Sequence, residues 1–193
     1  MEEATTRTPL RHVRHFLSWT GRKFSRRIRK IERRLGITIQ YRYAAFSIEL
    51  PADHQLPVNQ RYSRLYDRFL PHLAKYIEPH STVIDVGANC GDTLAAMYEA
   101  NKSLAFICVE PDDFFFDLLQ KNTLRIKKSD ASASISLIKS LVGKSVTDAV
   151  LVGHEGTKHA ATQGSNQVDG KRLSSQTLDR LVSVLQPNSI KLL

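Results

Sequence analysis

The chain of 193 residues has only two cysteines, Cys90 and Cys108, too few for a disulfide scaffold and spaced unlike a metal-ligand set. No stretch approaches the roughly 18 consecutive apolar residues that a membrane-spanning helix needs. The Arg-rich N-terminus lacks the apolar segment of a secretory signal, so a cytoplasmic, reducing setting is expected. Nine glycines, seven prolines and 8% aromatic residues exclude collagen-like and low-complexity chains. No G-K-[ST] follows a glycine-rich turn, which excludes a P-loop. What remains is an ordinary globular balance, 41% hydrophobic and 24% charged, in a chain long enough for one domain with a core.

The formal charge of +9 is concentrated at one end. Residues 1–35 hold 11 Lys and Arg against 3 Asp and Glu, whereas the remainder holds 17 against 16. The basicity therefore belongs to an N-terminal arm, expected over 1–36. Leu10, Val13, Leu17, Phe24, Ile28, Ile31 and Leu35 recur at three- and four-residue steps, the pattern of an amphipathic helix. Gly21 is a point at which that helix breaks into two, and Gly36 stands at its C-cap. Three readings of the arm compete. It is a solvated helix packing on the body or a partner, a helix on an anionic membrane surface, or a helix tracking a phosphate backbone. Without an aromatic ladder or an RNA-module signature, the nucleic-acid reading ranks last.

Residues 37–80 precede the core. The segment 37–51 suggests one or two strands, and Pro51 and Pro57 bracket a loop holding Asp53 and His54. Residues 61–78 read as one amphipathic helix with Tyr62, Leu65, Phe69, Leu73 and Tyr76 on the buried face, started afresh or kinked at Pro71. From residue 81 to the end, strand and helix alternate. Strands are expected at 82–86, 104–109, 135–142 and 146–152, with a short apolar strand at 190–193. Helices are expected at 92–100, from Pro111 to about Ile126, and at 177–185. Phe114, Phe115, Leu118, Leu119, Thr123 and Ile126 are the second helix's buried candidates. Residues 153–172, polar and holding four glycines, read as a loop. The order predicts an α/β fold with a parallel, doubly wound sheet.

One segment carries chemistry. In Val83-Ile-Asp85-Val-Gly87-Ala88-Asn89-Cys90-Gly91-Asp92-Thr93, a strand ends in a carboxylate, turns through small residues and enters a helix. Such a turn lets a ligand approach backbone closely and offers it helix N–H donors. Glu110 closes the next strand at about the spacing of a carboxylate that accepts hydrogen bonds from ribose hydroxyls. The dinucleotide pattern G-x-G-x-x-G is not met, and Asp92 at the helix entrance opposes a pyrophosphate. Asp85 and Asp92 instead suit an amino-acid tail carrying an ammonium beside a sulfonium. That favours S-adenosyl-L-methionine over a nicotinamide dinucleotide.

The stretch VIDVGANCGDT, then CVEPDD at 108–113, TLDRL at 177–181 and the terminal SIKLL together resemble the FkbM-type family of S-adenosylmethionine-dependent methyltransferases. The resemblance covers roughly residues 80–193. It implies a Rossmann-like class I methyltransferase fold and O-methylation of a sugar, glycan or other small-molecule hydroxyl. It places Asp85, Gly87, Asn89 and Gly91 in the motif that cradles the cofactor, with Ala88, Asp92 and Thr93 beside them. Glu110, Pro111 and Asp112 follow at the second strand end, Glu110 on the ribose, and Thr177-Leu178-Asp179 matches the element before the next core strand. In the family, the strand matched by Ile190–Leu193 runs on into an acidic motif beside the active site. The expectation is therefore a sheet incomplete at the C-terminus, an open edge that favours self-association, and little or no turnover. A cofactor-binding chain without activity and a nucleic-acid methyltransferase guided by the arm are the alternatives.

Each residue also has a plainer reading. Asp92 serves equally as a helix N-terminal charge, and Asp112 and Asp113 as first-turn caps. Asn89 suits a left-handed turn position. Cys90 and Cys108 read as small buried hydrophobes, and His54, His154 and His159 as loop histidines without a metal partner set. No catalytic base is assigned.

Overall fold

The computed structural model describes residues 35–63, 65, 68–144, 148–152, 159–161, 172–185 and 190–192. The expected arm helix lies outside them. So do His154 and most of the polar stretch 153–172. The described residues form two compact units, one of Leu35–Ile39 with Pro51–Gln55, the other of Gln40–Leu50 with everything from Leu56 onward. In the first, Gly36 adopts φ +65°, the Ala52 N–H donates to Ile37 O at 3.1 Å, and the His54 N–H donates to Pro51 O at 2.9 Å.

The elements run β1 (Thr38–Arg42), β2 (Ser47–Pro51), α1 (Leu56–Tyr62), α2 (Phe69–Ala74), β3 (Thr82–Val86), α3 (Asp92–Ala100), β4 (Ala105–Val109), α4 (Asp113–Ser129), β5 (Ile135–Ile138), β6 (Leu141–Val142), β7 (Asp148–Val152), β8 (His159–Ala161), β9 (Arg172–Gln176), α5 (Leu178–Leu185) and β10 (Ile190–Leu192). β1 and β2 pair as a two-stranded sheet. The main sheet has the order β10-β3-β4-β5 and is parallel throughout. β3 therefore has β4 on one side and β10 on the other, so the winding reverses at β3.

Alternation along the strands shows why. Val83, Phe106, Cys108 and Ile135 face one core with Leu94, Leu118, Leu119 and Ile126 of α3 and α4. Ile84, Ile107 and Val109 face the opposite side, where Leu181 of α5 covers them. Strands buried on both faces need apolar residues at successive positions, which is what VI in β3 and FICV in β4 provide. Helices on both faces of a parallel sheet make the doubly wound arrangement, and its ligand crevice lies outside the carboxyl ends of the strands at the reversal.

Several boundaries differ from the sequence-based expectation. Within the span 61–78, read as one helix, the described residues hold the end of α1 at Tyr62 and the short α2. A proline has no N–H to give to the carbonyl four residues before it, so Pro71 is disfavoured in the interior of a long helix. Proline is instead accommodated in the first turn of α2. Of the expected buried stripe, Tyr62, Leu65, Phe69 and Tyr76 face solvent at 68–84% exposure, and Leu73 is half-buried. Leu70, Ala74 and Ile77 pack inward instead. Pro57 lies inside α1 rather than closing a loop. Pro111 precedes α4, because Asp112 is the N-cap and its side chain accepts the Phe115 N–H. The strand expected at 135–142 is divided. Lys139 turns away to the Asp113 carboxylate at 2.6 Å and over the Phe116 ring, and the chain leaves the main sheet there. β6 then joins a second sheet, ordered β6-β9-β7-β8, in which β6 and β9 are parallel and β7 is antiparallel to both neighbours. Part of the stretch read as a loop is thus strand β8.

One buried polar residue ties this architecture together. Asn122 of α4 is fully buried. Its Nδ2 donates to Glu49 O at 2.8 Å and Cys90 O at 2.7 Å, and its Oδ1 accepts the Glu49 N–H at 2.7 Å. One side chain thereby satisfies main-chain groups of β2 and of the turn after β3. Replacement by Leu strands all three, at about 1–3 kcal/mol for each buried group left unpaired. We expect Asn122→Leu to lower unfolding stability by at least about 2 kcal/mol, measured by urea titration.

Candidate functional site

The turn from β3 to α3 holds three left-handed residues in alternate positions: Gly87 at φ +84°, Asn89 at +51° and Gly91 at +83°. Glycine adopts this conformation freely, and Asn is among the few other residues that tolerate it. The resulting coil directs successive amides onto the end of β4. The Gly87 and Ala88 N–H groups both donate to Val109 O, at 2.8 and 3.1 Å. The Asn89 N–H donates to Glu110 Oε2 at 2.8 Å, and the Asp112 N–H to Glu110 Oε1 at 2.9 Å. Asp112 Oδ1 in turn accepts the Phe115 N–H at 3.2 Å. Glu110 is buried, and a buried carboxylate requires such donors to hold its charge. It buckles the β3–α3 turn to the β4–α4 turn.

The two glycines serve different ends. A Cβ on Gly91 would lie 2.8 Å from Leu119 Cδ1, in the packed interior between α3 and α4. A Cβ on Gly87 would meet nothing within 4 Å. The space over Gly87 opens at the carboxyl end of β3, where a doubly wound sheet takes its ligand.

The remaining candidates surround that opening. Asp85 is half-buried next to the last residue of β3, opposite Cys108 in the ladder. Asp92 and Thr93 begin α3, where a carboxylate is favoured by the helix dipole. The Cys90 thiol lies 3.9 Å from Asp92 Oδ1, and the Tyr43 hydroxyl donates to Asp92 O at 3.3 Å. Pro111 and Asp112 form the short turn into α4. The structure thus gathers the candidate residues at two adjacent strand ends. Asn122 and Tyr43 are members that the sequence reading missed. Asn122 carried a signal, a polar residue within the apolar stripe Leu118, Leu119, Thr123, Ile126. Tyr43 carried none, since a loop tyrosine is compatible with any environment.

Burial pushes both thiols well above the ordinary range, with the charge of Asp92 adding at Cys90 and that of Asp85 at Cys108. Neither is a nucleophile at neutral pH.

The residues present fit S-adenosylmethionine in three respects. The backbone at Gly87 is open to a ligand, with nothing within 4 Å of where a Cβ would sit. The carboxylates of Asp85 and Asp92 match a cationic tail. A carboxylate accepts about four hydrogen bonds, so ribose hydroxyls are compatible with Glu110 in its buckle.

No protein-family model matches the chain, and no curated protein matches it. Among solved structures, a SAM-dependent methyltransferase from Agrobacterium tumefaciens is similar at TM-score 0.36 and 11% identity over 52% of this chain. The N-terminal domain of human METTL16 is similar at TM-score 0.31 and 20% identity over 49%. The chain covers 31% and 36% of those two chains, and likenesses of this size assign no activity.

Two outcomes follow from the geometry. Gly91→Ala adds a clash to an unfavourable backbone and should cost about 2–4 kcal/mol, whereas Gly87→Ala carries the backbone term alone, about 1–2 kcal/mol. Urea titration of both variants checks the order. The thiols of the native protein should resist Ellman's reagent at neutral pH and react fully once the chain is unfolded in guanidinium.

Proposed function

We propose that the chain binds S-adenosyl-L-methionine over Gly87 and belongs to a methyl-transfer enzyme. The open left-handed turn at the reversal of a parallel sheet, buckled by Glu110, carries the reading. Asp85 and Asp92 would hold the amino-acid tail, Glu110 the ribose, and the small residues Gly87, Ala88 and Asn89 would admit the ligand against backbone. When bound, this cofactor supplies an electrophilic methyl on sulfur. The chain's own part is positional. A preset turn, braced by Glu110 and Asn122, costs little ordering on binding and fixes the direction from which a nucleophile must approach. Alignment of that kind contributes up to ~7–11 kcal/mol to rate acceleration. The acceptor proposed from the FkbM-type resemblance is a hydroxyl of a sugar, glycan or other small molecule.

Calorimetric titration with S-adenosylhomocysteine tests the reading. The wild-type chain should bind. Gly87→Val should abolish binding by filling the cradle, with helical content by circular dichroism retained. Asp85→Asn should weaken it about tenfold, as loss of one charge-assisted contact of ~1.5 kcal/mol would. Equal affinity in wild type and Gly87→Val would contradict the assignment.

A further inference from the structure

A groove of about 390 Å³ shares Tyr43 with the glycine-turn site but none of that turn's own residues. It is walled by Tyr41, Arg42 and Tyr43 at the end of β1, by Gln60 of α1, and by Arg68, His72 and Lys75 in and around α2. Leu56, Pro71 and Ala96 supply the apolar lining. Three features distinguish it from ordinary surface. Among the described residues, no carboxylate lines it. Arg42 ends β1 while Arg68 and Lys75 flank α2 at its two caps, and none of the three forms an ion pair among the described residues. The Tyr41 hydroxyl donates to Gln60 Oε1, which turns the amide so that its NH₂ group remains as a donor.

Three like charges around one concavity repel one another, and a compact multivalent anion relieves that repulsion. Two guanidinium groups match the oxygens of a phosphate in pairs, and the lysine adds a point charge. Tyrosine faces and an amide beside them suit the ring and hydroxyls of a polyol. The volume is within the range of small-molecule sites, roughly 300–1,000 Å³. We infer that this groove binds a phosphomonoester of a sugar or similar polyol. The site stands whether or not the glycine turn takes a cofactor.

Glucose 6-phosphate is the probe, titrated calorimetrically into the full chain at low salt, with glucose as the uncharged control. The ester should bind at least about tenfold more tightly than glucose and weaken as salt rises. The combined variant Arg42→Gln, Arg68→Gln, Lys75→Gln should lose the ester about tenfold or more. Lys75→Gln alone, an exposed change that leaves folding intact, should lose it severalfold. Both variants keep the basic arm, so anion binding by the arm would survive in them. Phosphatidylcholine vesicles containing phosphatidic acid form a second arm of the experiment. Vesicle binding lost in the combined variant would show that the ester is carried by a lipid, and would support the site. Ester affinity equal to that of glucose, with vesicle binding unchanged by the substitutions, would overturn it.

Discussion

The carboxylate of Glu110 fixes the relation between the two strand ends on which the site depends. A parallel sheet brings β3 and β4 side by side but leaves the turns beyond them to find their own partners. Glu110 supplies one, holding the Asn89 amide with one oxygen and the Asp112 amide with the other. Val109 O takes the two preceding amides of the same turn. Burial of the carboxylate makes these bonds obligatory, because a buried charge without donors is far costlier than a bond lost at the surface. The constraint passes outward in two directions. Through Asp112, it sets the N-terminus of α4. Through Asn89, it imposes the left-handed turn that leaves Gly87 open.

From the opposite side, α4 braces the same turn. Asn122 holds Cys90 O, and Leu119 fills the space that a side chain at Gly91 would need. The turn is thus anchored along its length and left uncovered at its first residue, Gly87. A rigid surround with one vacant backbone position is what close approach of a ligand requires, and it places specificity in the backbone rather than in long side chains. The cationic groove touches this system only through Tyr43 and uses the opposite device, long side chains from the end of β1 and the two caps of α2.

The parts of this structure legible in the sequence are those where local pattern and burial agree. VIDVG reads as strand and turn because apolar residues at successive positions demand cover on both faces, and the glycines mark the left-handed positions. The second strand end and α4 follow for the same reason, with Asp112 displacing Pro111 as the helix start because its side chain can cap and proline's cannot. Apolar periodicity does not of itself imply burial, and Tyr62, Leu65, Phe69 and Tyr76 face solvent, while Leu70, Ala74 and Ile77 pack on the core. Of the second sheet, the apolar runs holding β6 and β7 read as strands, but β8 and β9 did not, because they lie at polar, glycine-rich positions, and β9 pairs with β6 and β7 across long sequence separations. Spacing and charge mark Asp85, Gly87, Gly91, Asp92 and Glu110 as candidates, whereas Ala88, Asn89, Thr93, Pro111 and Asp112 rest on the family resemblance. Asn122 was not named, since the bonds that hold it belong to residues far away in the chain.

Amide hydrogen exchange, followed by NMR at Asn89 and Asp112 in the wild type and in Glu110→Gln, tests the buckle most directly. Both amides of the wild type should exchange as slowly as the ladder amides of β3 and β4. Glu110→Gln replaces one accepting oxygen by a donor, and should accelerate the amide that loses its acceptor while leaving the C-terminal half of α4 protected. Rapid exchange of both amides in the wild type, at the rate of exposed loop positions, would contradict the account.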